Sequence, residues 1–363
     1  MTEKNYKIKI ITRGPVHIGS GEVIKKNEYV FTGKQIQILD NKKFFYLLMK
    51  EDLVEKYEDF IMNSRGGELY QFIKNYKLLG KYEKAIRYAM DGSIFDFKTR
   101  GKGKTLNNIN LTVKDPYNMP YVPGSSLKGA LINNLLFSVG LKHQEEFTRK
   151  YTEKLKRHRK NDNRLANDIT SDLESKLNLN NGQKNFKIGD LISISDSKPI
   201  DLEKLTIAQK TDYIPSLNPD KEGKTNTINL LRESIRTNTV IEFDLKLKNA
   251  ELIDIDLIEE SIENTFDIID SYPRTKGDLD ELEGMHIYLG GGTGFITKTF
   301  LYGIINQNHI INTTADILQD RFRKINRDYD KDLGLAPKTV KEAKTSYDDF
   351  EETGLCEIKF IEK

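Results

Sequence analysis

Residues 240–247 read Val-Ile-Glu-Phe-Asp-Leu-Lys-Leu, and this strict alternation constrains the fold more than any other stretch. Side chains on a strand point to opposite faces with a period of two. Ile241, Phe243, Leu245 and Leu247 therefore share a covered face, while Glu242, Asp244 and Lys246 share a wet one. A sheet wet on one side suits antiparallel pairing, because the strands of doubly wound parallel sheets are buried on both faces and read as unbroken apolar runs. Residues 6–10 repeat the pattern, with Tyr6, Ile8 and Ile10 opposing Lys7 and Lys9, and Cys356, Ile358 and Phe360 predict a closing strand.

Further strands are expected near residues 28–31, 35–39, 186–195 and 285–289. Leu53, Tyr57 and Phe60 at helical spacing predict helix within residues 50–90. Leu127, Ala130, Leu131 and Leu135 predict a second helix; Ile258, Ile262, Phe266 and Ile269 predict a third from about Asp256, with Pro273 beyond its end. Residues 95–113 alternate around a tip at Gly101 and Gly103, the pattern of a protruding hairpin. Residues 196–239 read as a long polar connection. Residues 142–185 are rich in charge and asparagine, and read as a helical insertion or mobile segment. No regular βαβα rhythm runs through the chain, so the fold class is α+β with antiparallel sheets. A length of 363 residues exceeds one average domain. The expected division is an N-terminal domain over 1–185, containing the mobile segment, and a C-terminal domain over 186–363.

Lys and Arg number 57 against 55 Asp and Glu, a net charge of +2, which argues against a uniformly basic nucleic-acid coat. Any anion site must be found by position. A single cysteine, Cys356, excludes an internal disulfide framework and a cysteine zinc site. The five histidines form no HxH or HxxxH pair, so neither metal nor cofactor is expected. The opening MTEKNYKIKI has no signal-like apolar core, and no stretch approaches the ~20 apolar residues of a membrane span. A cytoplasmic protein without a membrane partner is the expectation.

Five segments carry candidate chemistry. The first is Gly14-Pro15-Val16-His17-Ile18-Gly19-Ser20-Gly21, too glycine-rich to continue a strand, with His17, Gly19, Ser20 and Gly21 as candidate contacts. Pro123-Gly124-Ser125-Ser126-Leu127-Lys128-Gly129 leads into a helix whose first N–H groups lack internal partners. Ser125 or Ser126 suits the N-cap, and Lys128 in the first turn suits an anion; a merely capped helix explains the pattern equally well. Residues 290–295, Gly-Gly-Gly-Thr-Gly-Phe, lack the spacing of a dinucleotide fingerprint. Their backbone at Gly291, Gly292, Thr293 and Gly294 can still approach a phosphate, with Phe295 stacking on a base and Lys298 on a phosphate, or they form a tight turn with a core phenylalanine. Lys98, Arg100, Lys102 and Lys104 fall at every second residue, so on a hairpin they would face a phosphate backbone together, or form a solvated tip. Arg232 lies within Leu231-Arg232-Glu233-Ser234-Ile235, a segment placed before a strand, and Arg236 follows it directly. His17 as a general base for RNA cleavage lacks an evident second proton-transfer group.

In combination these segments resemble the RAMP superfamily of CRISPR proteins, and within it the family of fifth subunits of type III-A (Csm) effector complexes. The likeness spans nearly the whole chain and rests on PGSSLKGA, GGGTGF, the Gly14–Gly21 segment and the Pro337-Lys338-Thr339 stretch. It implies two RRM-like (ferredoxin-like) domains and a non-catalytic subunit. Such a subunit caps the filament of backbone subunits, holds the 3′ part of the guide RNA (crRNA), and takes part in guide 3′-end maturation. The implied partners are crRNA, the backbone and small Csm subunits, and a separate host nuclease. The cleaving loop aspartate of the backbone paralogue has no match here, since Asp40 and Asp52 stand in different surroundings. Two alternatives remain open: a repeat-processing endoribonuclease using His17, and a filament-forming backbone subunit.

Overall fold

The computed structural model describes residues 2–63, 68–94, 107–157, 164–214, 216, 223–271, 284–322, 336–337, 339–346 and 349–363. Their strands and helices form a mixed α+β architecture with three sheets. The first sheet joins β1 (Lys4–Thr12), β7 (Ile192–Ile194), β10 (Val240–Leu247), β11 (Met285–Tyr288) and β14 (Leu355–Glu362) in the order β11-β14-β1-β10-β7, every neighbour antiparallel. The alternation in the sequence is borne out in β1 and β10, where Tyr6, Ile8, Ile10, Ile241, Phe243, Leu245 and Leu247 are buried; in β14 Cys356 and Ile358 are buried and Phe360 half-buried against the same core, but Glu357 on the other face is buried as well. Helices α4 (Gly124–Lys142) and α8 (Ile255–Asp270) cover that face, with Leu127, Leu131, Leu135, Ile258 and Ile262 in the same core. Asp254 starts α8, its carboxylate accepting the Leu257 N–H at 2.9 Å.

Along the chain these elements run β1-α4-β7-β10-α8-β11-β14, while in space the strands lie β11-β14-β1-β10-β7. The boundary expected between residues 185 and 186 runs through this sheet, since β1 lies on one side of it and both its partners, β10 and β14, lie on the other.

The second sheet has the order β13-β12-β8-β9-β6-β2, built from β2 (Gly19–Ile24), β6 (Ile109–Thr112), β8 (Leu205–Ile214), β9 (Lys224–Ile235), β12 (Val340–Lys344) and β13 (Phe350–Glu352). Here the reading of residues 196–239 as a polar connection is corrected, because the long β8–β9 hairpin occupies it. The distal part of β9, residues 224–227, is exposed, and the buried apolar residues of the hairpin, Leu205, Ile207, Tyr213, Leu231 and Ile235 among them, are interspersed with polar ones.

The third sheet, β3 (Tyr29–Phe31), β4 (Gln35–Leu39) and β5 (Ile86–Asp91), packs Phe31, Ile38, Tyr88 and Met90 on the second sheet's Ile109, Ile207 and Leu231. Its other side bears α1 (Asn41–Lys50), α2 (Val54–Asn63) and α3 (Leu69–Asn75) around Phe44, Leu48 and Ile73. Helix within residues 50–90 is thus found, except that β5 takes the last part.

In the stretch 142–185, α5 (Gln144–Lys156) and α6 (Arg164–Lys176) send Phe147, Tyr151, Leu155, Ile169 and Leu173 into the main core. Phe147, Tyr151 and Leu155 form a stripe one residue wide among charges, too narrow to stand out as periodicity. Helices α7 (Ile188–Leu191), α9 (Leu301–Ile304) and α10 (Gln307–Arg321) complete the described α-helices. Among the described residues no helix is long and apolar enough to cross a membrane. The expected hairpin tip at Gly101 and Gly103 lies outside the described residues, as do Lys98 and Pro273.

Candidate nucleic-acid interface

Three of the five segments line one cleft. Val16 and Ile235 exchange backbone hydrogen bonds at 2.9 and 2.7 Å, which docks the His17 segment onto the end of β9. The Gly291 N–H donates to the His17 carbonyl at 2.6 Å, which docks the glycine loop onto the same segment. A cleft of about 400 Å³ opens between them and the first turns of α4, lined by His17, Gly19, Ser126, Gly129, Asn133, Gly290, Gly291, Thr297 and Lys298 among others, with no Asp or Glu among its described lining residues. Ser126, Gly129 and Asn133 share one face of α4 because residues three and four apart on a helix are neighbours.

The electrostatics of the cleft favour an anion. Lys298, on the short turn Ile296–Lys298, is held below the ordinary lysine range by surrounding protein and then by the charge of Arg232. Arg232, half-buried on β9, is lowered by desolvation, with Asp212 partly offsetting it. Neither cation forms an ion pair with a described residue. Asp212 is instead held by Lys341 at 2.6 Å. Two desolvated like charges side by side, with only Arg232 partly offset by Asp212, disfavour each other, and a phosphate bound between them would relieve the repulsion.

His17 is 7% exposed. Its Nδ1 lies 2.7 Å from the Glu233 carbonyl, so Nδ1–H donates and Nε2 carries the lone pair. Burial lowers its pKa most; the bond to Glu233 opposes, and the charges of Arg232 and Lys298 add to the lowering.

Several expected contacts take other roles. Neither Ser125 nor Ser126 caps α4: the helix begins at Gly124 with Pro123 at the N-cap position, and Asp196 accepts the Gly124 N–H at 2.8 Å. A carboxylate from the segment after β7 thus already sits on the helix end proposed for an anion. Lys128 is half-buried and donates to the Gly189 carbonyl at 2.6 Å, so its charge faces α7. Gly19, Ser20 and Gly21 lie within β2 rather than in a loop; the strand tolerates the glycines through an irregularity between Gly19 and Val23, and Ser20 Oγ donates to Leu111. The segment Leu231–Ile235 precedes β10 as expected but is itself the end of β9, which holds Arg232 and Glu233, and Arg236 is exposed one residue past that end, outside the cleft. Thr293 is buried and its hydroxyl bonds Thr297 at 2.8 Å. Phe295 packs against the main core instead of standing free for a base. Gly290, Gly292 and Gly294 have φ of +87°, +94° and +111°, so the loop needs glycine for its own path. Arg100, Lys102 and Lys104 lie outside the described residues.

Sequence reasoning missed the support beneath the site. Glu233 is fully buried and accepts from Tyr88 Oη, from Lys114 Nζ and from the Thr112 N–H at 3.0 Å. Tyr88, Thr112 and Lys114 carry no local signal of this role. Gly129 and Asn133 were legible in principle, from their helical spacing to Ser126.

A family model described as the RAMP superfamily matches residues 9–296. The "CRISPR system Cms protein Csm5" of Streptococcus thermophilus is 28% identical over 311 residues, covering 82% of this chain and 80% of that protein. The protein of the same name from Enterococcus italicus is 26% identical over 375 residues, covering 94% and 91%. Among solved structures, a chain of a Csm–crRNA–target RNA ternary complex of a type III-A CRISPR-Cas system superposes with a TM-score of 0.61 at 16% identity, covering 99% of this chain and all of that one. The crystal structure of T. onnurineus Csm5 superposes with 0.56 at 15% identity, covering 96% and 99%. At such identities the superpositions speak for the fold alone.

Proposed function

The chain belongs to the RAMP superfamily, and from that premise we propose that it is a non-catalytic crRNA-binding subunit of a type III-A CRISPR effector complex, working in the cytoplasm. The observation that carries the reading is the pair Arg232 and Lys298, cations that form no ion pair with a described residue, beside a glycine loop over a cleft without carboxylates among its described lining. Such a cleft takes backbone phosphate and leaves the bases free, which is what a guide needs in order to pair with its target. The relatives named Csm5 support the assignment to this subunit. Capping of the backbone filament, hold on the guide 3′ part, partnership with backbone and small subunits, and docking of a maturation nuclease follow from the resemblance. The strand order β14-β1-β10-β7 with α4 and α8 on one face supports an RRM-like unit in the first sheet.

The test is guide retention in the assembled complex. Lys298→Ala should lower guide content and reduce the log–log salt slope by roughly 0.7 for one lost phosphate contact on single-stranded RNA. Unchanged slope and content would remove the cleft from the RNA path. One observation favours a second reading: His17 Nε2 stands beside the two cations that phosphoryl chemistry could use. Cleavage of repeat RNA by the purified chain, lost in His17→Ala, would establish it over the first.

A further inference from the structure

Helix α1 carries large apolar side chains on both faces. Phe44 and Leu48 enter the core of the helical layer. On the outer side Phe45, Tyr46 and Met49 are 45%, 66% and 52% exposed. At 3.6 residues per turn, positions 42, 45, 46, 49 and 50 fall on one stripe, so Lys42 and Lys50 stand at its two ends with Lys43 beside the first. A helix apolar on both faces is ordinarily covered on both, and an exposed aromatic patch with a charged rim marks an interaction surface.

The charge around the stripe selects its occupant. Lys42, Lys43 and Lys50 form no ion pair with a described residue. The adjacent acids are engaged elsewhere: Asp40 caps α1 through the Lys43 N–H at 3.0 Å, and Glu51 pairs with Lys81 at 2.6 Å. The cations sit at the ends and leave about 10 Å of apolar stripe between them. A nucleic-acid strand carries a phosphate at every nucleotide and finds no counter-charge along that middle. A helix with an apolar stripe and acidic flanks matches both the middle and the ends.

We propose that the outer face of α1 docks an acidic amphipathic helix of a partner protein, its apolar residues on Phe45, Tyr46 and Met49 and its carboxylates on Lys42, Lys43 and Lys50. This surface lies apart from the cleft and does not rest on the RNA-binding reading. The test uses the full chain in the effector complex assembled in cells, with the photo-cross-linker benzoylphenylalanine replacing Tyr46. A control chain carries it at Tyr117, which is 87% exposed. After irradiation, mass spectrometry should find position 46 joined to a protein segment of net negative charge, with apolar residues at helical spacing; Tyr117 should not capture that segment. Adding Lys42→Glu and Lys50→Glu should lower the yield at least fivefold while circular dichroism and guide content stay unchanged. An adduct with RNA, an adduct with a basic or non-amphipathic segment, a yield indifferent to the charge reversal, or no adduct at position 46 each overturns the proposal.

Discussion

Gly291 and Gly292 are adjacent in one loop, yet a methyl group does different things at each. At Gly292 the backbone sits at φ +94°, and an added Cβ would lie 2.8 Å from Arg232 Nη1. An L side chain held in that region costs about 1–3 kcal/mol, and the guanidinium must also move aside. At Gly291 the backbone is ordinary, and a Cβ meets only His17 Cδ2 and the His17 carbonyl at 3.5 Å, which is normal contact. Gly291→Ala should therefore leave stability within about 1 kcal/mol of the parent, with reduced unfolded-chain entropy a small gain. Its methyl would nevertheless stand in the cleft where backbone is proposed to approach phosphate. Urea unfolding read by circular dichroism, together with guide RNA per folded complex, separates the effects. Gly292→Ala should lower the unfolding midpoint and, by displacing Arg232, the guide content of the folded fraction. Gly291→Ala should lower guide content alone. Parent-like guide content and salt dependence in Gly291→Ala would show that the glycines serve only the turn. A parent-like midpoint in Gly292→Ala would refute the conformational argument.

Lys114→Met should destabilise by about 3 kcal/mol, the low end for breaking a buried pair, because Tyr88 and the Thr112 N–H still bond Glu233. Adding Glu233→Gln should restore much of it, and a single-variant loss below about 1 kcal/mol in urea titrations would count against the buried network. The acid limb of the stability profile reports on His17. Its folded pKa lies below the ordinary 6.5, so the unfolded chain takes up the proton first; the stabilisation is complete above about pH 6.5 and is lost as pH falls below it. His17→Gln should flatten that decline between pH 7.5 and 5, and parallel profiles would contradict the assignment. Asp196→Ala should cost about 1 kcal/mol by uncapping α4, measurable as a lowered thermal midpoint.

Local pattern and long-range pairing divided the determination of this protein between them. The faces of β1, β10 and β14, the buried stripe of α8 and the glycine path of residues 290–295 were legible in the sequence. Each depends on periods of 2.0 or 3.6 or on a residue type with distinctive backbone freedom. The charge balance likewise implied a local site rather than a basic surface. Tertiary structure alone decided that β1 lies between β10 and β14, more than two hundred residues distant, because a burial pattern states which face is covered and not by what. It decided that Asp196, rather than Ser125 or Ser126, satisfies the start of α4, that Lys128 serves α7, and that Phe295 belongs to the core. It also gathered Tyr88, Thr112 and Lys114 on Glu233, and placed Arg232 beside Lys298. A hydrogen bond or an unpaired charge is a relation between distant positions, and it takes effect only when the packed core brings those positions within a few ångströms.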